Sequence, residues 1–264
     1  MIHPRKIGLL GAGSLGKIIG RSLLNGEIPG ARLSAISELS IDIVEQSLGG
    51  EAAKLFVQDT NEFLERSDIV IEALPPDQAL KWIPLALRAG KTVIALSVSV
   101  FVTHPEIFTD MNKWDGKLIL PAGSIAGLDG VQALAQAGIT QARIKTTKPP
   151  KSLQDAPYVK KNKVDLSALQ APLCLFSGSV SEGARYFPAN VNVAAALSLS
   201  GIGPQDTLME VWADPKAQNN KHDVFVESEI GRLNVRLENI LDPQKPSSSK
   251  LAAFSVLAKC KEIP

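Results

Sequence analysis

The chain has 264 residues, enough for one large domain or two modest ones that each bury a core. It is 45% hydrophobic, and 28 Lys and Arg against 27 Asp and Glu leave a net charge of +1, so no broad electrostatic footprint points to nucleic acid or an anionic membrane. No apolar run approaches the roughly 18 residues of a membrane-spanning helix, and a small molecule is the expected partner.

Met1-Ile2-His3-Pro4-Arg5-Lys6 runs straight into a first strand, without the charged-then-apolar leader of a secreted chain. Cys174 and Cys260 lie far apart and form no C-x-x-C or metal-ligand spacing. A cytoplasmic protein with reduced thiols and no metal site is therefore expected.

The first strand ends in Gly11-Ala12-Gly13-Ser14-Leu15-Gly16, and an apolar helical pattern follows. Strand, G-x-G-x-x-G and helix in that order form a dinucleotide fingerprint: Gly11 suits the tight turn, Gly13 lets backbone approach a pyrophosphate, and Gly16 lets the helix pack on the strand. N–H groups at the helix start then face the phosphates. These six residues are candidate coenzyme contacts, with a purely structural glycine turn as the plainer alternative. Arg32–Ser37 is predicted as the second strand, and Ser37-Glu38 stands at its end, where many NAD-binding domains carry an acid for the ribose hydroxyls. If Ser37 takes that position an NADP phosphate is tolerated; if Glu38 does, its charge repels the phosphate. NAD is favoured, with NADP use open.

Asp68–Leu74 is a buried strand by its apolar run, and Pro75-Pro76 ends it. Ala73, Leu74 and Pro75 then sit at a strand's carboxyl end, where open parallel sheets bind ligands. Asp77–Ala89 is a helix stopped by Gly90, and Thr92–Val98 and Lys117–Pro121 are further strands. This alternation predicts an α/β, doubly wound parallel sheet of Rossmann type over residues 1–121.

Beyond Pro121, Gly123–Gly130 opens a helix, Thr147–Asn162 is Lys- and Pro-rich and is expected as a loop, and Thr207–Ala213 is a strand. Asp223–Ser228 and Leu233–Glu238 alternate apolar and polar residues around Ile230-Gly231, as a half-exposed hairpin does. Ser247–Lys261 is a final helix. A second, α+β domain is expected over residues 122–240.

Tyr186–Leu197 with Gly201-Ile202-Gly203, then Asn219–Ser228, resembles the L-aspartate dehydrogenase family. So do Ala89-Gly90-Lys91 before a strand ending Leu96-Ser97-Val98, Pro121-Ala122-Gly123-Ser124-Ile125-Ala126-Gly127, and Lys245-Pro246-Ser247-Ser248-Ser249. The resemblance spans nearly the whole chain. It implies a Rossmann domain completed by the C-terminal residues 241–264, an α+β domain for substrate and dimerisation, and a homodimer. It also implies NAD(P)-dependent conversion of L-aspartate to iminoaspartate, then oxaloacetate and ammonia, feeding NAD synthesis through quinolinate.

The position matching the family's catalytic histidine is His222, in an N-x-H pattern. An imidazole titrating near neutrality can take a proton from the amine and later from a water. A histidine that merely begins a strand is the alternative, and Lys148 and Lys221 are second-rank proton carriers or carboxylate anchors. His3 and His104 are expected at the surface. Asn192 matches the family's coenzyme-contacting asparagine, although Asn190 and Asn192 can instead cap the next helix. Ser124 and Ala126, with Gly123, match its segment beside the nicotinamide. Ala122-Gly123-Ser124 stands where Ser-Gly-Ala is expected, which leaves a dehydrogenase or imine reductase for another amino or semialdehyde substrate as a rival. A non-catalytic NAD(P)-sensing regulator is a second.

Overall fold

A computed structural model of the chain describes residues 4–188, 191–240 and 249–263. His3, Asn190 and Lys245–Ser248 lie outside the described residues. The chain divides into two compact units, Met1–Gly123 with Lys250–Pro264, and Ser124–Ser249.

In the first unit the elements are β1 (Arg5–Leu10), α1 (Ser14–Leu24), β2 (Ala31–Ser37), α2 (Ile41–Leu48), α3 (Gly50–Ala53), α4 (Thr60–Glu65), β3 (Ile69–Glu72), α5 (Pro76–Arg88), β4 (Thr92–Ala95), α6 (Val100–Thr103), α7 (Glu106–Met111) and β5 (Lys117–Ile119). The five strands form one parallel sheet of order β2-β1-β3-β4-β5. Ile7, Leu9, Ile69, Ile71 and Ile94 are fully or nearly fully buried, as strands covered on both faces require. The strand order reverses between β1 and β3, which makes their carboxyl ends the switch point where such sheets bind ligands.

The second unit holds α8 (Leu128–Gln136), β6 (Ile139–Lys148), a 3-10 turn (Pro150–Ser152), α9 (Pro157–Lys161), β7 (Leu173–Ser179), α10 (Val180–Tyr186), α11 (Asn192–Ser200), β8 (Thr207–Ala213), β9 (Asn220–Ser228) and β10 (Gly231–Asn239). Its mixed sheet has the order β10-β9-β6-β8-β7. Along β8 and β9 every second residue is buried, because helices cover one face and leave the other open. The chain then closes with α12 (Lys250–Glu262), whose Ala253, Val256, Leu257 and Cys260 join Ile7, Leu9 and Ile19 in the core of the first unit. The C-terminal helix thus completes the Rossmann unit.

Several elements differ in extent from the sequence expectation. The strand expected over Thr92–Val98 ends at Ala95, because the Ser97 N–H leaves the ladder and donates to the Glu72 side chain at 2.9 Å. The helix expected from Gly123 starts at Leu128, after Gly127 turns the chain with φ +78°. Thr147–Asn162 is not a loop: Thr147 and Lys148 end β6, and Pro150 and Pro157 open helical turns at the first position, where the missing proline N–H costs nothing. The hairpin strands reach back to Asn220 and on to Asn239, because polar residues fill their inward positions where alternation marks apolar ones.

Candidate active site

The glycine turn in the first unit is built as the fingerprint demands. Gly11 has φ +90°, and a Cβ there would lie 2.7 Å from the Ala73 carbonyl oxygen. A Cβ on Gly16 would lie 2.0 Å from the Gly11 carbonyl oxygen, so α1 packs on the turn only because residue 16 is glycine. Gly13 is exposed and a Cβ there meets nothing within 4 Å, leaving open space over the turn. Ser14 and Leu15 begin α1, which carries no acidic residue in its first turn to compete with an anion.

Ser37 and Glu38 both reach this turn. Gly11 N–H donates to the Ser37 carbonyl at 2.9 Å, and Ala12 N–H donates to Glu38 Oε2 at 2.7 Å. The carboxylate, not the Ser37 hydroxyl, is therefore the side-chain group held on the glycine turn. Ala73 joins β1 through its N–H to the Leu10 carbonyl at 2.9 Å, and Leu74 lies beside Gly11. Together Gly11–Gly16, Glu38 and Ala73–Pro75 form a cradle whose open glycine turn and free space fit a dinucleotide.

The second unit buries a different chemistry. His222 is 4% exposed, on β9 opposite Thr146 of β6, and its Nδ1 lies 3.0 Å from Thr146 Oγ1. Burial, and then the positive charge of Lys148, push the imidazole down to about 3, so it is neutral at physiological pH. Lys148, 4% exposed at the end of β6, is itself pushed down to about 8 by burial. Asn220 stands two residues before His222 on the same buried face, and its side-chain carbonyl oxygen is enclosed without a hydrogen-bond donor. His222 is thus the third residue of a strand, with polar Asn220 and Thr146 and apolar Val224 and Leu237 as its neighbours along and across the strands.

Asn192 is the first helical residue of α11, behind Val191 at the cap, so it is not the capping residue. Ser124 is buried and its carbonyl accepts from Asn239 Nδ2 at 3.0 Å, whereas Ala126 is exposed. Lys221 is half-buried on the opposite face of β9 from His222, 4.0 Å from Glu238. His104 is half-buried at the end of α6, its Nδ1 3.0 Å from Thr103 Oγ1. Thr146 was not legible as a site residue, since its partner is distant in sequence. Among the described residues no group of three or more His, Cys, Asp or Glu could hold a metal ion, and no helix is long and apolar enough to cross a membrane.

A dinucleotide-binding α/β unit, joined in one chain to a unit that buries a neutral imidazole beside a lysine, defines a nicotinamide-dependent dehydrogenase. Residues 11–121 match a family model described as the NAD-binding domain of homoserine dehydrogenase, and residues 129–263 one described as the C-terminal part of aspartate dehydrogenase. L-aspartate dehydrogenase 3 of Bordetella bronchiseptica is 35% identical over 257 residues, covering 97% of this chain and 94% of that protein. L-aspartate dehydrogenase of Methanosarcina mazei is 36% identical over 266 residues, covering 98% and 96%. The crystal structure of aspartate dehydrogenase from Thermotoga maritima shares the fold, with a TM-score of 0.77 over 99% of this chain and 97% of that one, at 24% identity. The chain belongs to the L-aspartate dehydrogenase family.

Proposed function

We propose that the chain oxidises L-aspartate with NAD or NADP to iminoaspartate, which water converts to oxaloacetate and ammonia, and that His222 is the general base. The observation that carries this reading is the buried, neutral imidazole held at Nδ1 by Thr146 and flanked by Lys148. With Nδ1–H donating to Thr146, Nε2 keeps its lone pair for the substrate. His222 takes a proton from the substrate ammonium, which frees the nitrogen lone pair, releases it to solvent, and then takes one from the water that adds to the imine carbon and passes it to the departing amine. Lys148 supplies a cation for a substrate carboxylate, and that carboxylate offsets the Lys148 charge, which after burial is the second influence holding His222 low. The bound coenzyme supplies the hydride acceptor. Glu38 on the glycine turn supports NAD over NADP, because a carboxylate there repels a 2′-phosphate.

A homodimer formed through the open face of the second sheet completes the reading. That face carries Arg143 over the Phe225 ring at 5.6 Å, Lys145 over the Trp212 ring at 4.2 Å and an Asp223–Arg236 ion pair, a mixture of charge and aromatic area that can meet a second copy of itself. Two free thiols, one buried and one half-buried, support a reducing, cytoplasmic setting, and entry of iminoaspartate into NAD synthesis rests on the family resemblance.

The test is nicotinamide absorbance during incubation of oxaloacetate, ammonium and NADH or NADPH with the purified chain, and of L-aspartate with the oxidised coenzymes. His222→Ala is expected to lower kcat by about 10²–10⁴-fold while NADH binding persists. Full turnover in that variant would remove His222 from the chemistry. Turnover only with other amino or semialdehyde substrates would move the substrate assignment, and NADH binding without any turnover would favour a sensor.

A further inference from the structure

Glu72 is the last residue of β3, fully buried, beside the coenzyme edge of the first unit. Its Oε1 accepts the Leu74 N–H at 2.7 Å and its Oε2 the Ser97 N–H at 2.9 Å. Ser97 Oγ lies 3.0 Å from Oε1 and 2.8 Å from the Leu74 carbonyl. One side chain therefore joins the loop leaving β3 to the loop leaving β4. The first of these loops is the one that touches Gly11 through Ala73 and Leu74.

Among the described residues, no cation compensates this carboxyl. Its register partners are Leu10 on β1 and Ala95 on β4, and the residues of α5 that are buried are Ala79, Ile83, Ala86 and Leu87. The charged residues of α5, Asp77, Lys81 and Arg88, are exposed. Among the described residues, the influences on Glu72 are burial and hydrogen bonds to Ser97, Leu74 and Leu96, with no ionisable side chain among them. Burial prevails and pushes the carboxyl up to about 7.

Ser97 lets the network hold in either protonation state. With the carboxylate ionised, the Ser97 hydroxyl donates to Oε1. With the carboxyl protonated, its O–H donates to Ser97 Oγ, and the Ser97 proton turns to the Leu74 carbonyl. A buried carboxyl with two satisfied states, next to a turn built for a pyrophosphate, is placed to respond to the arriving negative charge.

We infer that Glu72 is a positioning residue of the coenzyme site, which ties the β3 and β4 exit loops together and takes up a proton when the anionic dinucleotide binds. This rests on the dehydrogenase reading only through the coenzyme. The proton comes from solvent and is returned on release, and the negative pyrophosphate favours the neutral carboxyl, so the affinity is higher below neutrality than above it.

The experiment is NADH titration of the full chain by fluorescence from pH 6 to pH 9, with calorimetry in buffers of different ionisation enthalpy. Wild type is expected to bind several-fold more weakly at the alkaline end and to take up a fraction of a proton near pH 7. Glu72→Gln should bind with a flat profile and no uptake. Ser97→Ala removes a hydroxyl that favours the ionised form and should move the midpoint to higher pH, which tests the idea if Glu72→Gln fails to fold. A profile unchanged in Glu72→Gln, or in Ser97→Ala, overturns the inference and leaves the dehydrogenase reading standing. Absence of NADH binding at every pH overturns both.

Discussion

Thr146 Oγ1 lies 3.0 Å from His222 Nδ1, and the two residues face each other across the antiparallel β6–β9 pair with Thr146 fully buried. The register of two strands thus fixes which imidazole nitrogen is left for the substrate. Thr146→Val keeps the shape and removes the partner of Nδ1, so both tautomers and more ring orientations become accessible. kcat should fall by about tenfold with little change in the KM for aspartate, the loss of one hydrogen bond expressed in the transition state. Thr146→Ser should restore most of the rate. A fall in KM and kcat together, or no rescue by serine, would make Thr146 a packing residue.

The three motif glycines separate folding from coenzyme binding. Gly16→Ala forces a Cβ to 2.0 Å from the Gly11 carbonyl, and overpacking of this kind costs about 1–3 kcal/mol or more, visible as a lowered Tm in the free protein. Gly13→Ala meets nothing within 4 Å and should melt like wild type, yet weaken NADH by about tenfold or more because the added methyl stands where the backbone approaches the pyrophosphate. Equal NADH affinity in Gly13→Ala would place the dinucleotide elsewhere.

Glu38 is held on the Ala12 N–H at 2.7 Å, so its charge is fixed on the glycine turn. Glu38→Ser removes that charge and should shift the kcat/KM ratio towards NADPH on the order of tenfold, mainly through the KM of the coenzyme. A ratio that does not move would mean that Ser37 or another group reads the ribose.

The glycine turn and the Rossmann strands were legible because parallel strands buried on both faces appear as continuous apolar runs, as in Ile69-Val70-Ile71. The site in the second unit was legible only in part. Asn220 and His222 occupy inward positions of β9, and Thr146 and Lys148 those of β6, so polar residues interrupt the alternation that marks a strand. The pairing of Thr146 with His222 and of Glu72 with Ser97 depends on strand order, which local pattern does not carry. Glu72 itself lies inside the run Asp68–Leu74, which reads as one buried strand, so nothing local marks it as the strand's last residue or as a tie to Ser97.

Buried titratable groups give the two units opposite responses to acid. Glu72 has its pKa raised from 4.5 to about 7, so below pH 4.5 it is neutral folded or unfolded and costs nothing. As pH rises through 4.5 the unfolded carboxyl ionises first, and by pH 7 the folded first unit has lost roughly 3 kcal/mol, a loss that persists above. His222 has its pKa lowered from 6.5 to about 3, so above pH 6.5 it is neutral in both states. Below that the unfolded imidazole takes the proton that the folded one refuses, and stability drains as pH falls from 6.5 towards 3. Between pH 7 and pH 5 these groups therefore favour the first unit and disfavour the second. Hydrogen exchange, corrected for intrinsic rates, should show protection at Val70 and Ile71 rising on acidification relative to Glu72→Gln, while protection at Val224 and Val226 falls relative to His222→Asn. Parallel responses in wild type and both variants would mean that neither group titrates as its burial dictates.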